Sequence, residues 1–232
     1  MTTAATEATE AAGAAEAGDD TAAEAPMGRR QRKAIRTRAS IEDAALRLFT
    51  EQGFDATTVE QIAEAADIAP RTFFRYFPSK DAVLFGDLGG ETERMRTIMD
   101  SRASHEHPMR SLAAAMLDAA ERMEPDREQH LMRAELLHAL DNAGDYELHL
   151  LRQQWMQDVT NLVAEHLGVD SGTDPRPGAW SMTLVSCFGS AMHAWLVRTD
   201  DSITLRHILS GVLAATSEGL EQATDEIASA PR

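Results

Sequence analysis

A chain of 232 residues, 43% of them apolar, is long enough to bury a substantial hydrophobic core in one or two domains. No apolar run reaches the roughly 18 residues that a membrane-spanning helix needs, and no basic segment followed by an apolar stretch opens the sequence, so we expect no membrane association and no signal peptide. The single cysteine excludes an intramolecular disulfide and fits a reducing, cytoplasmic location.

The formal net charge of −16 is distributed unevenly along the chain. Residues 1–27 carry six acids and no base, residues 28–85 carry ten bases and eight acids, and residues 86–232 carry twelve bases and twenty-four acids. A basic end on an acidic body orients a molecule towards phosphate. Residues 1–27 consist mostly of Ala, Thr, Glu and Gly, so we expect them to form a disordered acidic tail.

The sign of the charge reverses between Gly28 and Arg38, a segment with six bases and no acid. The run adjoins the helix-turn-helix motif described below, and we therefore predict that it contacts DNA. The predicted contact residues are Arg29, Arg30, Arg32, Lys33 and Arg36. The alternative is a charge run that serves only solubility.

An amphipathic helix follows this run. Apolar residues recur there at helical spacing, in Ile41, Ala44, Ala45, Leu48 and Phe49. Gly53 is expected to end the helix because glycine tolerates a left-handed backbone. Phe54 would then fold back into a small core.

The stretch from Thr57 to Lys80 is typical of two short helices around a tight turn, a helix-turn-helix. The Thr58 hydroxyl is predicted to cap the first helix while the Gln61 side chain reaches back, as in a capping box. Asp67-Ile68-Ala69 would form the turn. Pro70 suits the first position of the second helix, because its missing N–H would be unpaired there anyway.

The second helix, from Pro70 to about Phe77, separates into two faces. Phe73 and Phe77 point to one side and would be buried, while the opposite side is predicted to meet the major groove of DNA. The predicted DNA-binding residues of the motif are Thr58, Pro70, Arg71, Thr72, Phe74, Arg75, Tyr76 and Lys80. We assign Arg71 to a base edge and Lys80, at the start of the next helix, to phosphate.

The stretch from Phe49 to Phe85 resembles the TetR family of bacterial one-component transcriptional regulators. The family pattern is matched at Gly53, Thr57, Thr58, Val59, Ile62, Ala63, Thr72, Phe73, Tyr76, Phe77, Ser79, Lys80 and Leu84. Two positions depart from it: Ala69 stands where Ser is usual and removes a cap, and Phe74 replaces the usual Tyr and removes a hydroxyl. The sequence RTFFRYFPSKDAVLF also resembles those of an actinobacterial subgroup that includes the regulator of mycofactocin clusters.

The resemblance implies an all-α protein with a three-helix DNA-binding domain over residues 28–85 and a ligand-binding and dimerisation domain over residues 86–232. It also implies that the basic arm lies along or in the minor groove, a narrow negative channel that suits Arg. No stretch after residue 79 shows strand alternation. About six further helices, for about nine in all, are predicted between breaks at Gly89-Gly90, His105–Pro108, Glu124-Pro125, Asn142–Asp145, Gly168–Pro177 and Thr199–Ser202.

The last two predicted helices carry a wide apolar stripe, and small residues such as Gly189 and Gly211 allow close approach. As in the family, we expect two helices from each subunit to form a four-helix bundle in a homodimer. The predicted interface consists of Trp180, Leu184, Cys187, Ala191, Trp195, Leu205, Ile208, Leu209, Val212, Leu213 and Leu220. The alternative is that these residues pack only within one subunit.

Residues 91–198 would form the sensor. Nine of the eleven methionines follow residue 85, and thioether side chains line adaptable apolar cavities well, although any single Met also serves as ordinary core filler. The predicted pocket wall is Met95, Met99, Met116 and Trp155. We expect a hydrophobic effector, and the subgroup resemblance suggests an acyl chain, including its coenzyme A thioester. The phosphates of the thioester would need bases such as Arg94, Arg96, Arg102, Arg110 or Arg133 near the pocket mouth.

No other chemistry is predicted. His105 and His107 lack the spacing of a closed metal site, so we assign neither a metal nor a cofactor. The leading hypothesis is a homodimeric, ligand-responsive repressor that binds a (pseudo)palindromic operator. One alternative is a DNA-binding regulator that responds to a protein partner or acts constitutively. The other is an all-helical enzyme, against which stands the absence of a G-x-S-x-G motif, a phosphate-binding glycine loop and paired metal ligands.

Overall fold

Ten α-helices and one short 3-10 helix follow one another in the computed structural model, which describes residues 28–143, 146–200 and 202–229. The helices are α1 (Arg29–Gln52), α2 (Val59–Ala65), α3 (Pro70–Tyr76), α4 (Asp81–Phe85), α5 (Leu88–Arg102), α6 (Pro108–Met123), α7 (Arg127–Ala143), α8 (Tyr146–Leu167), α9 (Arg176–Leu196) and α10 (Leu205–Ser229), with the 3-10 helix at Glu124–Asp126. The predicted all-α class is confirmed, with one helix more than expected in the described ranges. The tail of residues 1–27 lies outside them.

Helix α1 begins at Arg29, twelve residues before the apolar pattern that predicts it. The Arg32 N–H donates to the Gly28 carbonyl at 3.1 Å, so the basic run is helical from its start. The cause is local, because Arg, Lys, Gln and Ala favour helix and no Gly or Pro interrupts residues 29–52. The bases of the predicted arm therefore lie on the first turns of a helix that ends at Gly53, with φ +91°.

Helix α5 begins before the predicted break at Gly89-Gly90. The chain breaks instead at Gly86, which has φ +68° and ends α4. The Asp87 carboxylate then caps α5 by accepting a hydrogen bond from the Gly90 N–H at 3.1 Å. A Cβ at position 90 would lie 2.1 Å from that carboxylate, so the two glycines belong to a capped first turn rather than to a loop.

A first hydrophobic cluster, here called the N-terminal core, joins α1 to α4. Its largest fully buried members are Ile41, Leu46, Phe49, Ile62, Phe73, Phe77 and Leu84. Helix α7 packs on it through Met132, Leu136 and Leu137, so the N-terminal core extends beyond the predicted domain boundary at residue 85. The helix-turn-helix region therefore packs directly against α7 and, through Leu151, against α8.

A second cluster, here called the C-terminal core, joins α5, α6, α8, α9 and α10. It contains six of the predicted dimer residues, each at most 6% exposed: Leu184, Cys187, Ala191, Trp195, Leu205 and Leu209. Trp180, Ile208, Val212 and Leu213 pack half-buried against the same core, and Leu220 alone is exposed, at 56%. The stripe therefore packs mainly inside the subunit, because α9 and α10 cover α6 and α8 with their most apolar sides.

The outward face of α9 carries a different set of residues. Met182, Ser186, Gly189, His193 and Val197 follow one another at spacings of three or four residues, and all are exposed. Met182 and Val197 expose 60% and 63% of their surface. Any partner of α9 must contact this face. None of the helices in the described ranges is long and apolar enough to cross a bilayer.

Candidate nucleic-acid interface and the adjoining cleft

The first helix of the motif is capped as its sequence predicts. The Gln61 N–H donates to the Thr58 hydroxyl at 3.3 Å, and the Thr58 N–H donates to the Gln61 side-chain oxygen at 2.9 Å. Gln52 at the end of α1 donates to both Thr57 and Gln61 at 3.1 Å. The start of α2 is thereby tied to the end of α1.

The turn between α2 and α3 contains the one non-glycine residue with positive φ in the described ranges, Asp67 at +54°. The Ile68 N–H reaches back to the Ala63 carbonyl at 2.9 Å and closes the end of α2. Ile68 is half-buried against the N-terminal core. Pro70 occupies the first turn of α3, and Ala69 supplies no side-chain cap, as its departure from the family pattern predicts.

The two faces of α3 are sharply divided. Phe73 and Phe77 expose 0% and 1% of their surface, whereas Phe74 exposes 57%. Arg71 and Arg75 are exposed with Phe74, and Thr72 and Tyr76 are half-buried beside them. The helix ends at Tyr76, and Phe77 continues in extended conformation. The exposed face places two guanidinium groups and an aromatic ring where a DNA groove can reach them.

Arg75 is held against Tyr76. Its guanidinium carbon lies 5.0 Å from the centre of the Tyr76 ring, and an N–H donates to the phenol oxygen at 3.3 Å. Partial burial raises the pKa of the Tyr76 phenol, but the hydrogen bonds from Arg75 and Thr37 and the charges of Arg75 and Lys33 outweigh it and leave the pKa below its ordinary value. The Tyr76 phenol thus lies in a cationic environment formed by Arg75 and Lys33.

Lys80 makes contacts within the protein, in addition to the phosphate contact predicted for it. Its ammonium donates to the Phe54 carbonyl at 2.7 Å and to the Thr57 carbonyl at 3.3 Å, and lies 4.3 Å from the centre of the Phe54 ring. These contacts fasten the start of α4 to the loop before α2. A phosphate contact would have to use its remaining N–H.

Arg38, the last base of the basic run, is directed inward. It donates to the Tyr76 carbonyl at 3.1 Å, to the Gly86 carbonyl at 2.8 Å and to Glu42 at 3.2 Å, and its guanidinium lies 4.2 Å from the centre of the Phe77 ring. Arg38 therefore fixes the end of α3 to α1 and to the end of α4. The five predicted contact bases before it, Arg29, Arg30, Arg32, Lys33 and Arg36, are all exposed.

A cleft of about 620 Å³ lies behind the motif, between α1 and α4 on one side and α6, α7 and α9 on the other. The apolar part of its lining includes Leu84, Met123, Ala134, Leu137, Met192 and Leu196. The charged part includes Arg38, Glu42, Glu91, Arg122 and Arg133. Glu91 accepts two hydrogen bonds from Arg122, at 2.9 and 2.8 Å, which raise the pKa of that guanidinium.

The predicted pocket residues lie elsewhere. Met95, Met99 and Met116 expose at most 6% of their surface in the C-terminal core, and Trp155 packs half-buried against them. Sequence reasoning missed the residues that join the cleft to α3, namely Glu42 and the inward role of Arg38. The spacing of Arg38 and Glu42, four residues apart on one helix, indicates their ion pair but not its distant partners. No group of three His, Cys, Asp or Glu in the described ranges could hold a metal ion.

Comparisons with known proteins agree with this geometry. Residues 41–85 match the profile described as bacterial regulatory proteins, tetR family, and residues 106–221 match that of the MftR C-terminal domain. The transcriptional regulator TcmR of Streptomyces glaucescens is 31% identical over 184 residues, which cover 76% of this chain and 80% of TcmR. The mycofactocin biosynthesis transcriptional regulator MftR of Mycobacterium tuberculosis is 30% identical over 201 residues, covering 86% of this chain and 97% of MftR.

One solved structure shows the same fold. The fatty acid degradation regulator FadR from Bacillus halodurans superimposes with a TM-score of 0.50 at 20% sequence identity, and the match covers 75% of this chain and 94% of that protein.

Proposed function

The chain belongs to the TetR family of bacterial transcriptional regulators, and from that premise we propose that it is a homodimeric repressor that binds a (pseudo)palindromic operator and is released by a small apolar effector. It is a DNA-binding regulator and not an enzyme, as the proteins it matches are regulators. We expect the protein to act in the bacterial cytoplasm, where its operator DNA lies.

The main observation in support of DNA binding is that α3 has one face fixed in the N-terminal core and one exposed face. Phe73 holds the helix in the N-terminal core and Arg38 holds its last turn, while Arg71, Phe74 and Arg75 remain exposed. A side chain on such a rigid support can distinguish base edges, because its position is set before DNA arrives. The exposed bases of α1 extend the cationic surface and would contact the sugar-phosphate backbone.

Homodimerisation follows from the number of contacts that specific binding needs. One short helix reaches too few bases, and twofold symmetry doubles them on a palindromic site. The face available for it on α9 is the exposed row from Met182 to Val197, centred on Gly189. Gly211, Ala214 and Ala215 are exposed on the neighbouring α10 and would allow equally close approach. We propose these exposed residues of α9 and α10 as the dimer interface, in place of most of the apolar stripe predicted from the sequence.

The effector would act on the second domain. The C-terminal core combines three buried methionines with polar atoms that have no hydrogen-bond partner in the described residues: Trp155 Nε1, Ser111 Oγ and Ser181 Oγ. Such atoms are costly to bury, and an apolar guest with one polar group would pair some of them as the core opens. An acyl chain, free or as its coenzyme A thioester, is the first guest to test.

The bases suggested for the thioester phosphates are largely engaged. Arg94, Arg96 and Arg102 form ion pairs with Glu91, Glu165 and Glu106, respectively. A phosphate would have to displace these carboxylates, so a free apolar molecule fits the observed contacts better than a thioester does.

Selection of binding sites from a random DNA library tests the proposal. The intact protein should enrich an inverted repeat whose half-site centres lie about 34 to 36 Å apart, one helical turn of DNA. The native mass of the complex should show two chains on each selected duplex. Enrichment of a single, non-repeated site with one chain bound would contradict the dimeric mode, and no enrichment at all would contradict operator binding.

A further inference from the structure

Arg133 on α7 occupies an unusual position in the cleft behind the DNA-binding motif. Its Nη2 donates to Glu42 on α1 at 2.5 Å, and its side chain is only 12% exposed. Its Nε is buried and has no hydrogen-bond partner in the described residues. A buried guanidinium N–H without an acceptor is costly, so Arg133 is suited to receive an oxygen from a bound molecule.

Glu42 links Arg133 to the end of α3. One carboxylate oxygen accepts from Arg133, and the other accepts from Arg38 at 3.2 Å. Arg38 in turn donates to the carbonyl of Tyr76, the last residue of α3. Two charged side chains that line the cleft, Glu42 and Arg38, therefore connect Arg133 to the end of α3.

The rest of the cleft determines what kind of molecule fits. Its volume of about 620 Å³ is that of a site for a small molecule. Met123, Ala134, Leu137, Met192 and Leu196 give it an apolar wall. The other lining arginines already have acidic partners: Arg122 pairs with Glu91 and Asp118, Arg94 with Glu91, and Arg38 with Glu42 and Asp87. Asp126 also lines the cleft. Among the described lining residues, Arg133 is the arginine with a buried N–H that has no acceptor.

We propose that this cleft is a second effector site that binds an apolar monocarboxylate, with the carboxylate on Arg133 and the apolar body against the methionine and leucine wall. A carboxylate is preferred over a neutral acceptor because its hydrogen bonds to a guanidinium are charge-assisted and about twice as strong. The cleft shares Met123, Ala134, Met192 and Leu196 with the edge of the C-terminal core, but none of the predicted pocket residues Met95, Met99, Met116 and Trp155 lines it. Its effect on the operator rests on the function proposed above.

Binding would act through competition between two carboxylates. A guest carboxylate that accepts from both Nε and Nη2 of Arg133 takes the Nη2 donor from Glu42, and Glu42 then remains paired to Arg38 alone. The ion pair between α7 and α1 is then lost, while the apolar contacts and the hydrogen bond from Gln129 to Asp43 remain, so the motif shifts against α7 more readily. A guest that binds this loosened state better shifts the population towards it, and operator affinity falls.

Direct binding to the free protein tests the site without DNA. Isothermal titration would compare decanoate with decanamide and decylamine, which share the apolar chain but not the charge. Decanoate should bind at least about tenfold more tightly than decanamide, a difference of about 1.4 kcal/mol. Equal binding of decanoate and decanamide would overturn the assignment of the head group to Arg133.

Four variants separate binding at Arg133 from a general loss of structure. Arg133→Lys keeps a cation beside Glu42 but removes Nε, and it should weaken decanoate binding about tenfold. Ala134→Phe narrows the cleft without touching the ion pair and should weaken it similarly. Glu42→Gln removes the competing carboxylate and should tighten decanoate binding severalfold, an effect that a purely structural role cannot produce. Arg176→Gln, in an ion pair with Asp174 that does not line the cleft, is the matched control and should change nothing.

The operator complex provides the last comparison. Decanoate should release wild-type protein from its selected DNA, and Arg133→Lys should need about tenfold more decanoate for the same release. Weaker decanoate binding by Glu42→Gln, or unchanged binding by Arg133→Lys with an unchanged melting temperature, would overturn the proposed site. Selective decanoate binding in a protein that selects no operator would instead contradict the proposed function and leave the site in place.

Discussion

The two cores of this molecule are built from different side chains for different tasks. The N-terminal core is aromatic, with Phe49 and Phe54 rings 4.8 Å apart and Phe73 and Phe77 rings 5.7 Å apart, and two cations close over it from Arg38 and Lys80. The C-terminal core consists mainly of methionine and aliphatic side chains, with Trp195 as its one buried aromatic residue in the described ranges. Three of its buried polar atoms have no hydrogen-bond partner among the described residues. The first fixes one geometry of α3, and the second is suited to rearrangement around a guest.

The largest effect should come from the aromatic side of α3. Phe73→Ala removes a fully buried ring and should lower the free energy of unfolding by about 3 to 5 kcal/mol. Phe74→Ala, one residue along and 57% exposed, should change it by less than about 0.5 kcal/mol. Urea unfolding of both variants checks this, and similar losses in the two would show that the faces of α3 are not divided as described.

Lys80→Ala tests whether the Lys80 ammonium stabilises the N-terminal core, contacts DNA phosphate, or does both. Loss of its hydrogen bonds to the Phe54 and Thr57 carbonyls should cost about 1.5 to 3 kcal/mol of stability. A phosphate contact should in addition reduce the slope of log affinity against log salt by about one per half-site, for all sequences equally. Unchanged stability with a reduced slope would assign Lys80 to phosphate alone.

Gly189→Leu tests the outward face of α9. A Cβ at this position meets no atom of the described residues within 4 Å, and Gly189 is exposed, so the monomer should fold normally. At a close helix–helix interface the added side chain should instead cost about 1 to 3 kcal/mol of association. Analytical ultracentrifugation measures the change, with Gly89→Leu, equally open on α5, as the control. An unaffected dimer would exclude this face from the interface.

The smallest effect is expected inside the C-terminal core. Ser181 is fully buried and its hydroxyl has no partner in the described residues. Ser181→Ala should therefore raise the free energy of unfolding by about 1 kcal/mol, since it removes an unpaired polar group at nearly constant shape. A loss of stability on this substitution would show that the hydroxyl is hydrogen-bonded, and the contrast between the two cores would then weaken.

The helix-turn-helix was predictable because its determinants are local. The capping box of Thr58 and Gln61, Pro70 at the start of α3 and the spacing of Phe73 and Phe77 all act within one or two turns. Family resemblance then supplied the all-α class and the role in transcription.

Contacts between distant helices were not predictable in the same way. The apolar stripe on α9 predicts that Leu184 and Trp195 are buried. It does not predict whether they are buried by α6 and α8 or by a second subunit. The inward turn of Arg38 depends on the Tyr76 and Gly86 carbonyls, 38 and 48 residues away. Likewise, nothing in the sequence distinguishes Arg133 from the other arginines, because its position beside Glu42 depends on the packing of α7 on α1. Only tertiary packing separates these side chains from ordinary surface and core residues.

The most direct test of operator reading is the sequence preference of Arg71→Ala. Arg71 is exposed at the start of α3 and should meet a base edge. Affinities of wild type and variant would be measured for the selected operator and for duplexes altered at each position in turn. The variant should lose about 1 to 3 kcal/mol on the intact site and lose discrimination at one position per half-site. A uniform loss with wild-type preference at every position would contradict recognition by α3.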